Sequence, residues 1–339
     1  MDSKLEKVIA SKGMAKIDTH IHLAGTGCRN SGCWMHPKLR KRYTIKLLQM
    51  IHRISNADLD NRIDEEWALR IHNLINESSI DYGVVLGFAG AANSVGEPDE
   101  NKSQLVIPPE WVFSLCQQYE NFLPGPSINP HFKNALEQLD YCIEKKACLI
   151  KWLPSAQLIN PTDINLKPFY MRLAKHKIPL LIHCGGEKTF ASLDPSLNQV
   201  SHLVSPLEEG VTVICAHSAT KVLGSDEPDQ IPQLKQLLET YPHLWVDNSG
   251  ICNPSRFYHL PSLAKDPQIE SRTLYGSDWP VPANAFYYIK EMGWKKVLSY
   301  ERTKNWISRD ASIKEFFGYT PESFTRAHKV LANLDYWIK

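Results

Sequence analysis

Eight short apolar runs recur along the chain, at residues 16–22, 82–88, 122–127, 148–153, 178–183, 211–216, 243–247 and 272–277, and amphipathic segments fill the gaps between them. The segments 65–77, 133–146, 167–176 and 231–240 carry apolar residues at intervals of three and four, the period of a helix packed on one face. Strands that alternate with helices pack as a parallel sheet, and eight such units predict a closed (β/α)₈ barrel. A chain of 339 residues with 43% hydrophobic content can bury the core that this fold needs. We read one barrel domain over about 15–285, with a helical insertion after strand 1 at about 37–63, over the barrel mouth. Helices rich in Trp and Phe at about 286–339 are expected on the barrel wall.

Lys plus Arg (38) and Asp plus Glu (37) nearly cancel, and no block of like charge occurs, so neither nucleic acid nor an anionic membrane is an expected partner. A small-molecule substrate is. The first fifteen residues are polar and no uncharged apolar run approaches 18 residues, so the chain reads as a soluble cytoplasmic protein. A homo-oligomer is open. Eight scattered cysteines are expected to be reduced. Cys28, Cys33 and His36 have a loose zinc-like look, but their spacing matches no standard finger and no fourth ligand is evident, so a loop is the expectation.

Polar residues punctuate the ends of the runs. "KIDTHIHLAG" sets His20 and His22 on one face of a strand, since side chains alternate. Lys151 in "ACLIKWLP", His183 in "KIPLLIHCGGE", His217 in "GVTVICAHSA" and Asp278 in "TLYGSDWP" each follow an apolar run. Their separations, 183 − 151 = 32, 217 − 183 = 34 and 278 − 217 = 61, correspond to one, one and two βα units. Equal spacing places all six on one rim, the C-terminal face where barrel active sites lie.

This set resembles the amidohydrolase superfamily, which has a (β/α)₈ barrel, an HxH on strand 1, histidines after strands 5 and 6 and an aspartate after strand 8. The wording "GSDWP" and "IKWLPSAQLINP" is similar to the amidohydrolase-related branch of metal-dependent hydrolases, which also contains aminocarboxymuconate semialdehyde decarboxylase and resorcylate decarboxylases. The resemblance implies that His20, His22, His183 and Asp278 hold one divalent ion, most simply Zn²⁺, with Mn²⁺ or Fe²⁺ as other candidates. It implies that Asp278 accepts a proton from an activated water and passes it to the leaving group. His217 is then free to polarise the substrate oxygen or to position the water. In some branches a carboxylated lysine after strand 4 bridges two ions, and Lys151 is placed to do so; one ion is favoured over two.

Substrate contacts are expected from the loops after the strands: Arg29, His131, Trp152 and Arg256, with Glu187, Trp34 and Trp279 beside them. The expected activity is hydrolysis of a C–N or C–O bond in an amide, lactone or ester, in a small and carboxylated molecule if the arginines bind it. Non-oxidative decarboxylation of a carboxylated ring is the alternative, and a barrel without catalysis is disfavoured by so many polar groups at one mouth.

Overall fold

The computed structural model describes residues 14–339. All eight expected strands are present: β1 (Ile17–His22), β2 (Tyr82–Leu86), β3 (Phe122–Gly125), β4 (Ile150–Trp152), β5 (Leu180–His183), β6 (Val213–Ala216), β7 (Leu244–Asp247) and β8 (Thr273–Leu274). They pair in parallel as two arcs, β1-β2-β3 and β4-β5-β6-β7-β8, with registers such as Gly83↔Phe122, Lys151↔Leu181 and His183↔Ala216.

Backbone hydrogen bonds cross both gaps between the arcs. Cys148 N and Lys151 N donate to the carbonyls of Pro124 (2.8 Å) and Pro126 (2.9 Å), joining the β3 and β4 segments. Thr19 N donates to Tyr275 O (2.9 Å), Asp278 N to His20 O (2.9 Å) and His22 N to Trp279 O (2.8 Å), joining β8 and its extension to β1. The ring of strands is thereby closed, as a TIM barrel requires, with His20, His22 and Asp278 at one seam.

Alternation along the strands sorts the core into layers. Leu149, Leu181 and Ile214 share one cluster with Val84, Leu86 and Leu123, the parity of Lys151 and His183; this is the barrel interior. The opposite parity, Ile150, Trp152, Leu180, Ile182 and Val213, packs against the helix residues Phe169, Tyr170, Leu173 and Leu234.

The insertion folds into three helices, α1 (Pro37–Arg40), α2 (Tyr43–His52) and α3 (Asn56–Asn61). A capping box starts α3: Ser55 Oγ accepts from Asp58 N (3.1 Å) and Asp58 Oδ2 from Ser55 N (2.7 Å). Helix α4 (Ile63–Asn76) then buries Ile63, Trp67, Ile71 and Ile75 at four-residue spacing. At its start the buried Asp64 carboxylate accepts from Thr26 N (2.8 Å) and Gly27 N (3.1 Å), tethering the loop that leaves β1. The C-terminal segment is helical, including Trp294–Arg302 and Trp306–Phe317. No described helix is long and apolar enough to cross a membrane, and all eight cysteines are unpaired.

Candidate metal centre

His20 Nε2 lies 3.2 Å from His22 Nε2, and Asp278 Oδ1 lies 3.1 Å from His22 Nε2 and 3.5 Å from His20 Nε2. Lys151 Nζ approaches His20 Nε2 at 3.2 Å. Strands β1, β4 and β8, far apart in sequence, thus deliver four polar side chains to one point. Asp278 stands in a left-handed backbone conformation (φ 64°), as does His217 (φ 55°), a cost of about 1–3 kcal/mol for such a residue that is tolerated where a site fixes the side chain. Gly250, at φ 65°, has no Cβ to collide with the Asp278 carboxylate beside it.

Hydrogen-bond partners decide which ring nitrogens are bare. His20 Nδ1 faces Asp247 Oδ2 at 2.8 Å, so Nδ1–H donates to the carboxylate and Nε2 keeps its lone pair. His217 Nδ1 donates to the Ser249 carbonyl at 2.9 Å, leaving its Nε2 bare. His183 Nε2 donates to the Gly186 carbonyl at 3.2 Å, leaving its Nδ1 bare. The bare Nε2 of His217 and the bare Nδ1 of His183 then face each other at 3.1 Å, two acceptors with no proton between them. Convergent lone pairs of this kind suit a cation, and the set of imidazoles with a carboxylate is the donor chemistry of a divalent ion.

The protonation states agree with that arrangement. Burial pushes His20 down to about 4 and His217 down to about 3, and it carries His183 well below the ordinary imidazole range. Burial alone would raise Asp278, but the imidazoles of His217, His22 and His20 outweigh it and hold the carboxyl well below the usual range. Neutral imidazoles and an ionised carboxylate are what metal ligation needs. Burial brings the Lys151 ammonium down to about 8.

Among the described residues, two donor groups have their ligand atoms within 4.8 Å of one another: His20, His22 and Asp278, and His20, His217 and Asp247. Asp247 is already committed. Its Oδ1 accepts from His217 N (2.7 Å), Ser249 N (3.0 Å) and Ser249 Oγ (2.5 Å), and its Oδ2 from His20, which makes it a support for the histidines. Sequence reasoning passed over this residue, although "LWVD" ends β7 with the same apolar-run-then-polar signal that marked the other sites. His183, expected beside His20 and His22, falls outside both groups and pairs with His217.

A cavity of about 450 Å³ opens above these donors, lined by His22, His183, His217 and Asp278, by Glu187 and Arg256, and by the insertion helices. Arg256 is buried, donating from Nε to Thr220 O (3.3 Å) and from its terminal nitrogen to Gly186 O. Glu187 accepts from Thr189 N (2.5 Å) and Phe190 N (2.9 Å).

The other expected substrate contacts fall elsewhere. Trp152 is turned to the outer layer, where its Nε1 donates to Ile128 O (2.8 Å) and its ring packs on Phe169 and Tyr170. The reason is alternation: Lys151 and Trp152 are adjacent on β4 and cannot both face the mouth. His131 accepts from Asn160 N (3.3 Å) on an outer loop and does not line the cavity. Nor do Trp34, which packs on His36, or Trp279, which packs on Trp67 and His52. The Arg29 side chain lies outside the described residues. Cys28, Cys33 and His36 form no donor group among the described residues; His36 instead caps α1 by accepting from Lys38 N (2.9 Å).

Residues 17–304 match the sequence model of a family described as amidohydrolase. The fold is similar to that of an uncharacterised TIM-barrel protein from Bordetella bronchiseptica (15% identity, 90% of this chain and 99% of that chain, TM-score 0.56). It is also similar to an amidohydrolase from Burkholderia multivorans solved with bound HEPES (12% identity, 93% and 99% coverage, TM-score 0.53) and to apo IDCase from Metarhizium anisopliae (12% identity, 93% and 97% coverage, TM-score 0.51). No curated protein matches the chain.

Proposed function

The chain belongs to the amidohydrolase family, and we propose that within it the protein is a metal-dependent hydrolase that cleaves a C–N or C–O bond of a small amide, lactone or ester. The observation that carries this reading is the convergence of the bare His20 Nε2 with His22 Nε2 and the ionised Asp278 Oδ1, the last two lining the cavity. These three side chains would hold one divalent ion, Zn²⁺ by the imidazole-rich chemistry of the set. When bound, such an ion polarises a substrate oxygen and lowers the pKa of a water towards ~7.

The protein's own groups supply the rest. Asp247 fixes the His20 ring so that Nε2 points at the site. Asp278, ionised at neutral pH, accepts the proton of the attacking water and returns it to the leaving nitrogen or oxygen. His217 has its N–H committed to Ser249, so its Nε2 can only accept; it positions the water by taking an O–H hydrogen bond and does not polarise a carbonyl. Arg256, its guanidinium buried in the cavity wall, provides a cation for an anionic group on the substrate.

The facing lone pairs of His183 and His217 favour a second reading of the metal count, in which a second ion sits between them and a carboxylated Lys151 bridges the two. The Arg256 cation favours a second reading of the chemistry, decarboxylation of a substrate whose carboxylate it binds. A panel of lactones, esters and amides beside hydroxybenzoates, assayed with metal-loaded protein, separates them: acyl cleavage supports the hydrolase, and CO₂ release without it supports the decarboxylase.

A further inference from the structure

Beyond the donors and charges, most of the cavity lining is apolar, with Gln49, Lys188, Asn253 and Ser255 among it. Leu23, Phe88 and Leu153 line its side, and the insertion supplies the roof. Along α2, Thr44, Leu47, Leu48 and Ile51 follow the i, i+3, i+4, i+7 stripe that a surface helix ordinarily buries in a core. Here the stripe lines the cavity and its side chains are only half-buried, and Leu39 and Leu59 of the flanking helices, themselves buried, line it as well.

The roof is fixed at both ends. Arg42 donates to the carbonyls of Lys188, Thr189 and Phe190 (each 3.2 Å), and Thr44 Oγ1 donates to Thr189 O (3.0 Å), all on the loop after β5. At the other end the His52 ring donates to Pro280 O (3.1 Å) on the loop after β8. The cavity that holds both the donors and this apolar lining is in the size range of pockets that enclose drug-sized ligands.

We propose that the substrate is amphiphilic: an ester, lactone or amide whose reacting group sits at the His20–His22–Asp278 end and whose acyl part is an apolar chain or ring running beneath α2, with Leu48 and Ile51 selecting it. The inference rests on the hydrolase reading of the site. An acyl compound of this class hydrolyses to a carboxylic acid, so straight-chain carboxylates from butyrate to decanoate are the probes.

Their binding to the zinc-loaded full chain is measured by calorimetry, with zinc content determined on the same sample. Affinity should rise about three- to fourfold per methylene from butyrate to octanoate, the gain for burying each CH₂. Leu48→Asn and Ile51→Asn, checked by circular dichroism and zinc content, should each flatten the rise, with a loss of affinity that grows with chain length from butyrate to octanoate. Octanoate binding no tighter than butyrate, or a rise that persists in both folded variants, overturns the proposal. Length-dependent binding to protein that retains no zinc keeps the apolar site and removes the hydrolase reading; a flat series on zinc-bearing protein does the reverse.

Discussion

The Asp247 carboxylate holds His20 Nδ1 at 2.8 Å, and through that one contact it decides that Nε2 faces the site without a proton. Asp247→Asn keeps the volume but offers an amide in place of an ionised acceptor. A supporting partner of this kind is worth about 10–100-fold in metal affinity, so the variant should bind zinc that much more weakly in competition with a chelating dye. Unchanged affinity would mean that the His20 ring orients itself.

Gly250 makes room for Asp278. An alanine there would adopt a left-handed conformation (φ 65°) at a cost of about 1–2 kcal/mol, and its Cβ would meet the Asp278 carboxylate. Gly250→Ala should therefore lower the melting temperature and also weaken zinc binding, which a purely conformational cost would not do. Both are read on one preparation by melting with and without zinc.

Burial pushes His217 down to about 3, against about 6.5 in an unfolded chain. As pH falls below 6.5 the unfolded state takes up a proton that the folded state refuses, so this histidine's contribution to stability is lost between pH 6.5 and 3. Metal-free wild type should thus lose stability relative to His217→Asn by up to about 1.4 kcal/mol per pH unit in that window. Denaturant melts at pH 7.5 and 4.5 give the two differences. A wild-type advantage that does not shrink on acidification would show that His217 is not held neutral by the fold.

Arg42 ties the roof helix to three carbonyls of the loop after β5. Arg42→Ala should speed hydrogen exchange in α2 while leaving the barrel strands and zinc affinity unaltered. The total cost should be about 1–3 kcal/mol, since the three hydrogen bonds have a charged donor and are partly exposed.

Much of this site was legible because a (β/α)₈ chain writes it at regular intervals. His20, His22, Lys151, His183, His217 and Asp278 each follow an apolar run, and the strands that end in them converge as the spacing predicts. Asp247 carried the same mark and was passed over. Trp152 was misplaced because an interesting residue beside Lys151 is, by alternation, on the wrong face of β4. Whether a loop residue such as His131 or Arg256 reaches the cavity depends on tertiary docking, which strand periodicity does not record. The same is true of α2: the insertion was legible as helical, but that its apolar stripe lines a cavity follows only from where Arg42 and His52 anchor it.

The most direct test of the metal-dependent account is elemental analysis of purified protein beside the Asp278→Asn variant, with turnover of an ester and lactone panel on the same samples. The account predicts close to one zinc per chain and acyl cleavage in the wild type, with both metal retention reduced and turnover abolished in the variant. Wild-type protein that holds no metal and gains no activity with added Zn²⁺ or Mn²⁺, or a variant that turns over like wild type, would contradict it.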